Sequence, residues 1–157
     1  MEILSKSEAE TEAIGRAIGS SATAGDAIGL EGELGAGKTR LVKGIAVGLE
    51  VSEHETVRSP TFVIIREHAG RLRLFHVDAY RLSGAAELWG LGWEEILNQG
   101  GLTVVEWAER VTQALPGDRL SIEMEIAGAN SRRVRMSCGG SESKGLLARI
   151  RQRWSDK

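Results

Sequence analysis

Residues 30–42 read LEGELGAGKTRLV, and Gly32, Gly35 and Gly37 crowd together just ahead of Lys38 and Thr39. Ordering a glycine costs more backbone entropy than ordering any other residue, so such a cluster needs a physical reason. The stretch fits G-x-x-x-x-G-K-[ST]. An apolar run, Ala27–Glu31, precedes it, and Leu41, Ile45 and Leu49 follow at helical spacing. A strand, a glycine loop and a helix in that order let bare amides wrap a phosphate while the helix adds its positive dipole end. The segment Gly35, Ala36, Gly37, Lys38, Thr39 and Arg40 is therefore expected to hold a nucleotide. Lys38 would reach the β- and γ-phosphates and the Thr39 hydroxyl would ligate Mg²⁺.

Composition narrows the class. A chain of 157 residues, 41% apolar and 27% charged, is the size of one domain, taken as 1–157. A net charge of -2 argues against a protein whose main partner is nucleic acid. The N-terminal MEILSKSEAETEA has no apolar core of a signal peptide, and no apolar run reaches membrane-spanning length. Cys138 has no partner for an internal disulfide. A cytoplasmic location is expected.

Helices are expected over about 8–21, where Ser7 and Glu10 form a capping-box pattern, and over about 38–49. Thr61–His68 and Arg71–Asp78 read as a hairpin turning at Ala69-Gly70. A helix is expected over Ala85–Asn98, with Ser83 as N-cap and Leu88, Leu91 and Ile96 turned inward. Gly101–Trp107 reads as a buried strand. Arg119–Ile126 and Arg132–Cys138 read as a second hairpin, and a last helix carries Leu146, Leu147, Ile150 and Trp154 on one face. Helices and strands alternate early and hairpins come later. The expected fold is a three-layer α/β P-loop NTPase with a mixed, partly parallel central sheet flanked by helices.

A phosphate site needs an acid for the metal shell, and Glu106 ends the LTVVE run where an acid of the Walker B type belongs. Asp78 closes FHVD and has two functional readings, ligating the metal through water or orienting the attacking water; its structural reading is a pair with Arg81. Thr61, in Ser59-Pro60-Thr61, is either a switch-like hydroxyl sensing the γ-phosphate or part of a proline turn. His76 is expected to be a hydrogen-bonded inward residue. Trp89 and Trp93 suit packing or a partner surface, and the basic positions of KGLLARIRQRW suit a solvated face, with RNA or an acidic partner as the alternative.

GELGAGKT, SPTF, FHVDAYRL and VVEWAER, in that order and spacing, resemble the bacterial TsaE (YjeE) family over about residues 5–150. The resemblance implies an ATPase of tRNA threonylcarbamoyladenosine biosynthesis that uses ATP and Mg²⁺. It implies action with TsaB and the TsaD ligase on adenosine 37 of tRNAs reading codons that begin with A, with TsaC supplying threonylcarbamoyl-AMP. Contact with tRNA would run through that complex, and the chain alone would be monomeric or weakly self-associating. Carried over by position, Thr39 and Glu106 would hold Mg²⁺, Thr61 would be the switch hydroxyl and Asp78 the acid needed for hydrolysis. Trp107 would flank the nucleotide, while a core position remains its other reading. Thr11 and Arg132 would touch the adenine or ribose side. Ala108 stands where the family often has proline. The rivals are a small-molecule kinase and an assembly factor whose nucleotide cycle only remodels a partner. A guanine switch lacks its N-K-x-D motif here.

Overall fold

The computed structural model describes residues 1–52 and 64–157. In chain order the described elements are β1 (Glu2–Ser5), α1 (Glu8–Ser21), β2 (Ala27–Glu31), α2 (Lys38–Gly48), β3 (Ile65–His68) and β4 (Leu74–Asp78). They continue with α3 (Ala85–Trp89), α4 (Trp93–Leu97), β5 (Leu102–Glu106), β6 (Leu120–Ile126), β7 (Arg132–Cys138) and α5 (Ser141–Ser155). Short 3-10 turns at Ala108–Arg110 and Thr112–Ala114 join β5 to β6.

The strands form one sheet in the order β1-β7-β6-β2-β5-β4-β3. Its middle, β6-β2-β5-β4, is parallel, and β3, β7 and β1 add antiparallel margins. This is the mixed α/β sheet expected from the sequence. Successive residues of a strand point to opposite faces, and β5 shows the result. Val104 packs under α1, α2 and α5, whereas Val105 packs against Leu88, Trp93 and Val111 on the other side. Each such fully buried side chain stabilises the fold by about 2 kcal/mol, so the sheet is anchored from both faces.

The crossing of α1 over α2 matters most for the site. Gly15 and Gly19 on α1 face Gly44 and Gly48 on α2, and a Cβ on any of the four would collide with a carbonyl oxygen of the facing helix. The partners are Leu41 and Ile45 for the first pair, Glu12 and Arg16 for the second. Backbone therefore lies on backbone. Arg40 ties the same two helices through Glu8 at 2.9 Å and Glu12 at 2.8 Å. Together these contacts pin the beginning of α2, where the glycine loop ends.

Several expectations need correction. β1 was not expected; it is short and pairs with β7 at the sheet margin. The helix expected over 85–98 is two short helices. Gly92 takes a left-handed φ of 83° between them, which only glycine adopts without strain. Leu91 is consequently 46% exposed rather than inward, while Trp93 is buried and donates from Nε1 to the Ala114 carbonyl at 2.8 Å. Ser83 does not cap; Gly84 occupies that position, and Ser83 binds the Glu87 carboxylate through its amide and hydroxyl. The β3–β4 connection spans residues 69–73 instead of turning at two. Arg71 is drawn away to the end of α1, where it donates to the carbonyls of Gly19 at 2.8 Å and Ala22 at 3.1 Å.

Candidate nucleotide-binding site

Three adjacent parallel strands end together. Register places Leu30 of β2 beside Glu106 of β5, and Glu106 beside Asp78 of β4. The loop leaving β2 therefore begins next to two carboxylates, at the carboxyl edge where α/β sheets bind ligands. A cleft of about 490 Å³ opens there, lined by residues 35–40 with Asp78, Glu106 and Trp107. That volume falls within the range of small-molecule sites.

Gly35 and Gly37 hold left-handed φ values of 83° and 96°. Any other residue would strain the loop at these points. Gly37 is also the N-cap of α2 and brings no side chain to cap it, so the first amides of the helix keep their capacity for an anion.

Lys38 lines the cleft and turns back over the glycine loop. Its ammonium donates to the carbonyls of Gly32 and Glu33, the latter at 3.0 Å, and lies 4.0 Å from the centre of the Trp107 ring. Burial pushes its pKa below the ordinary lysine value, and Glu106, Glu109, Asp78 and Glu33 pull it partly back. A buried cation held by neutral carbonyls and a ring face is suited to exchange them for an anionic phosphate.

Glu106 is 2% exposed. One carboxylate oxygen accepts from the Thr39 hydroxyl at 3.3 Å, and the other meets His76 Nε2 at 2.5 Å. His76 is wholly buried, the inward hydrogen-bonded residue the sequence suggested. Among the described residues no three His, Cys, Asp or Glu side chains gather as a metal cage. One hydroxyl and one carboxylate are nevertheless a fitting donor set for magnesium, which keeps water and phosphate oxygens as its remaining ligands.

Trp107 lines the cleft and also packs against the second core, so both of its sequence readings describe part of its surroundings. Its backbone is left-handed at φ 58°, an uncommon conformation for an aromatic residue. Tyr80 tilts against it at 4.9 Å, and the Arg110 guanidinium stands 5.1 Å over the Tyr80 ring. Tyr80 and Arg110 were not singled out from the sequence. Both sit inside quoted motifs, DAYR and WAER, and proximity to Asp78 and Trp107 was the available signal. The Tyr80 amide donates to Asp78 at 3.0 Å, which orients the carboxylate at the cleft.

Thr11 and Arg132 come together with Gly35, Gly37 and Arg40 around a second cavity of about 120 Å³ beside the loop. The hydroxyl of Thr11 is engaged with Ser5 at 2.8 Å, and Arg132 donates to the Gly35 carbonyl at 3.2 Å, bracing the loop from outside. Thr61, with the whole Ser59-Pro60-Thr61 segment, lies outside the described residues.

A glycine loop between a parallel strand and a helix, with lysine and threonine at the helix start and an acid ending the neighbouring strand, defines a P-loop NTPase fold that binds nucleotide. Residues 5–134 match the family model described as "Threonylcarbamoyl adenosine biosynthesis protein TsaE", and the chain belongs to that family. It is 41% identical over 142 residues to a "tRNA threonylcarbamoyladenosine biosynthesis protein TsaE" of Bacillus subtilis, covering 90% of this chain and 87% of the relative. A protein of the same description from Treponema pallidum is 36% identical over 134 residues, covering 85% and 98%. The crystal structure of Bacillus subtilis YdiB superposes with a TM-score of 0.86 at 33% identity, covering 100% of this chain and 96% of the other. No helix among the described residues is long and apolar enough to cross a membrane.

Proposed function

We propose that this chain is a magnesium-dependent, cytoplasmic ATPase of tRNA threonylcarbamoyladenosine biosynthesis. Residues 1–157 act as one unit that works with TsaB and TsaD on adenosine 37 of tRNAs reading codons that begin with A. The observation that carries the reading is the meeting of Thr39 and Glu106 at 3.3 Å beneath two left-handed glycines, with Asp78 on the next strand.

The amides of residues 35–39 bind the phosphates and orient them along the start of α2. Lys38 leaves the Gly32 and Glu33 carbonyls and neutralises phosphate charge. Thr39 and Glu106 are the residues that would hold magnesium, which when bound supplies charge neutralisation on the triphosphate. Asp78, aimed by the Tyr80 amide, orients a water for attack on the γ-phosphoryl group. Thr61 senses the γ-phosphate, and Thr11, Arg40 and Arg132 flank the nucleoside. The chain alone is monomeric or weakly self-associating, and tRNA is met through the assembly.

Phosphate release measured with and without TsaB and TsaD tests the proposal. Slow release alone, rising when both are added, is the expected result. A rate unchanged by the addition, with no complex on a sizing column, would turn the reading toward a small-molecule kinase.

A further inference from the structure

We infer that His76 is the positioning residue of Glu106, turning that carboxylate so that its second oxygen stays toward the Thr39 hydroxyl and a divalent cation can be shared between them. The inference rests on the nucleotide reading above and adds to it a residue that touches neither nucleotide nor metal.

The Glu106 carboxylate is held at both oxygens. His76 and Glu106 lie on neighbouring parallel strands, with His76 in register with Val104 and Asp78 in register with Glu106, so both side chains emerge on the face covered by α2. The Nε2 of His76 stands 2.5 Å from Glu106 Oε2, and Glu106 Oε1 stands 3.3 Å from Thr39 Oγ1. An ionised carboxylate only accepts hydrogen bonds, so Nε2 is the nitrogen that carries the hydrogen toward Glu106. With one oxygen held, rotation of the Glu106 carboxyl about its last bond would break the contact, and Oε1 stays directed at α2.

Packing of the ring itself does not account for a histidine here. The ring is 0% exposed, and its Nδ1 has no hydrogen-bond partner among the described residues. Its neighbours in the first core, Leu74 and Val104, are apolar. A buried nitrogen without a partner is a cost that leucine would avoid. What leucine would not provide is the N–H that holds Glu106. Groups that hold a metal-binding carboxylate from behind affect metal affinity without touching the ion.

The test compares His76→Gln, whose amide nitrogen falls near the position of Nε2, with His76→Asn, whose amide stops short near Nδ1. Affinity of the purified full-length chain for a non-hydrolysable ATP analogue is measured by calorimetry with magnesium and with chelator, beside a thermal melt of each protein. The expected result is unchanged affinity in chelator for both variants. The magnesium-dependent gain falls about tenfold in His76→Asn and stays within about threefold of the parent in His76→Gln. Should His76→Asn lack a cooperative melt, His76→Leu replaces it as the variant without a donor and carries the same expectation. Equal magnesium gains in all proteins, or an equal loss in both variants, would overturn the positioning role while leaving the nucleotide reading intact. A parent protein with no magnesium-linked affinity would overturn both.

Discussion

Thr39 and Glu106 are 67 positions apart in sequence and meet at 3.3 Å, the one opening the helix α2, the other ending the strand β5. The contact joins the glycine loop to the sheet at the point proposed above for magnesium. Thr39→Ala or Glu106→Gln is expected to leave analogue binding in chelator intact while lowering the magnesium-dependent gain about tenfold, read by calorimetry. Glu106→Gln keeps its volume and its contact with His76, so its fold is expected to survive.

Lys38 and Asp78 are expected to separate binding from turnover. Lys38→Ala removes the charged donor proposed to meet the phosphates. At about 3 kcal/mol for a charge-assisted contact, nucleotide affinity should fall roughly a hundredfold. Asp78→Ala should keep affinity and lose about a hundredfold in turnover, as removal of a group that orients the attacking water does. Calorimetry beside a phosphate-release assay distinguishes the two, and equal loss of affinity in both variants would remove Asp78 from hydrolysis.

The glycine crossing predicts a stability effect that helix propensity alone would get wrong. Gly44→Ala gains about 1 kcal/mol of propensity in a helix interior. Its new methyl group would collide with the Glu12 carbonyl, and backbone yields less readily than a side chain. A net destabilisation of about 2 kcal/mol is expected in urea unfolding.

Asp118 predicts an acid limb. Its carboxylate accepts from the amides of Glu142 at 2.8 Å and Ser143 at 3.0 Å, capping α5 where Gly140 has no side chain to do so. Bonds from the Ser143 side chain and then its backbone hold the Asp118 pKa below its ordinary 3.8. A depressed folded pKa gives stability that is present above 3.8 and is lost as pH falls through the folded value. Asp118→Asn should therefore melt earlier than the parent near neutral pH, and the difference should shrink as pH falls below the ordinary 3.8 and through the lower folded value.

The placement of the cleft's lining was legible where it lay within contiguous motifs. The glycine loop, Asp78 and Glu106 are each adjacent to the strand or helix that places them, so pattern and position coincide. Apart from the Thr39–Glu106 meeting, contacts across long separations were not legible. Gly15, Gly19, Gly44 and Gly48 resemble propensity defects until the two helices are seen crossing through them. The packing of Lys38 on Trp107 and the stacking of Arg110 on Tyr80 join motifs that sequence order keeps apart. Gly90 and Gly92 carry the signal for the split of the middle helix, and the helical spacing of Leu88, Leu91 and Ile96 masks it.

The ammonium of Lys38 resting against the Trp107 ring has an optical consequence. An indole's emission responds to a charge at its face, and phosphate that draws the lysine away would alter it. The chain thus carries its own fluorophore at the mouth of the cleft. Trp107→Phe leaves Trp89, Trp93 and Trp154 as the background against which that signal can be read without any label.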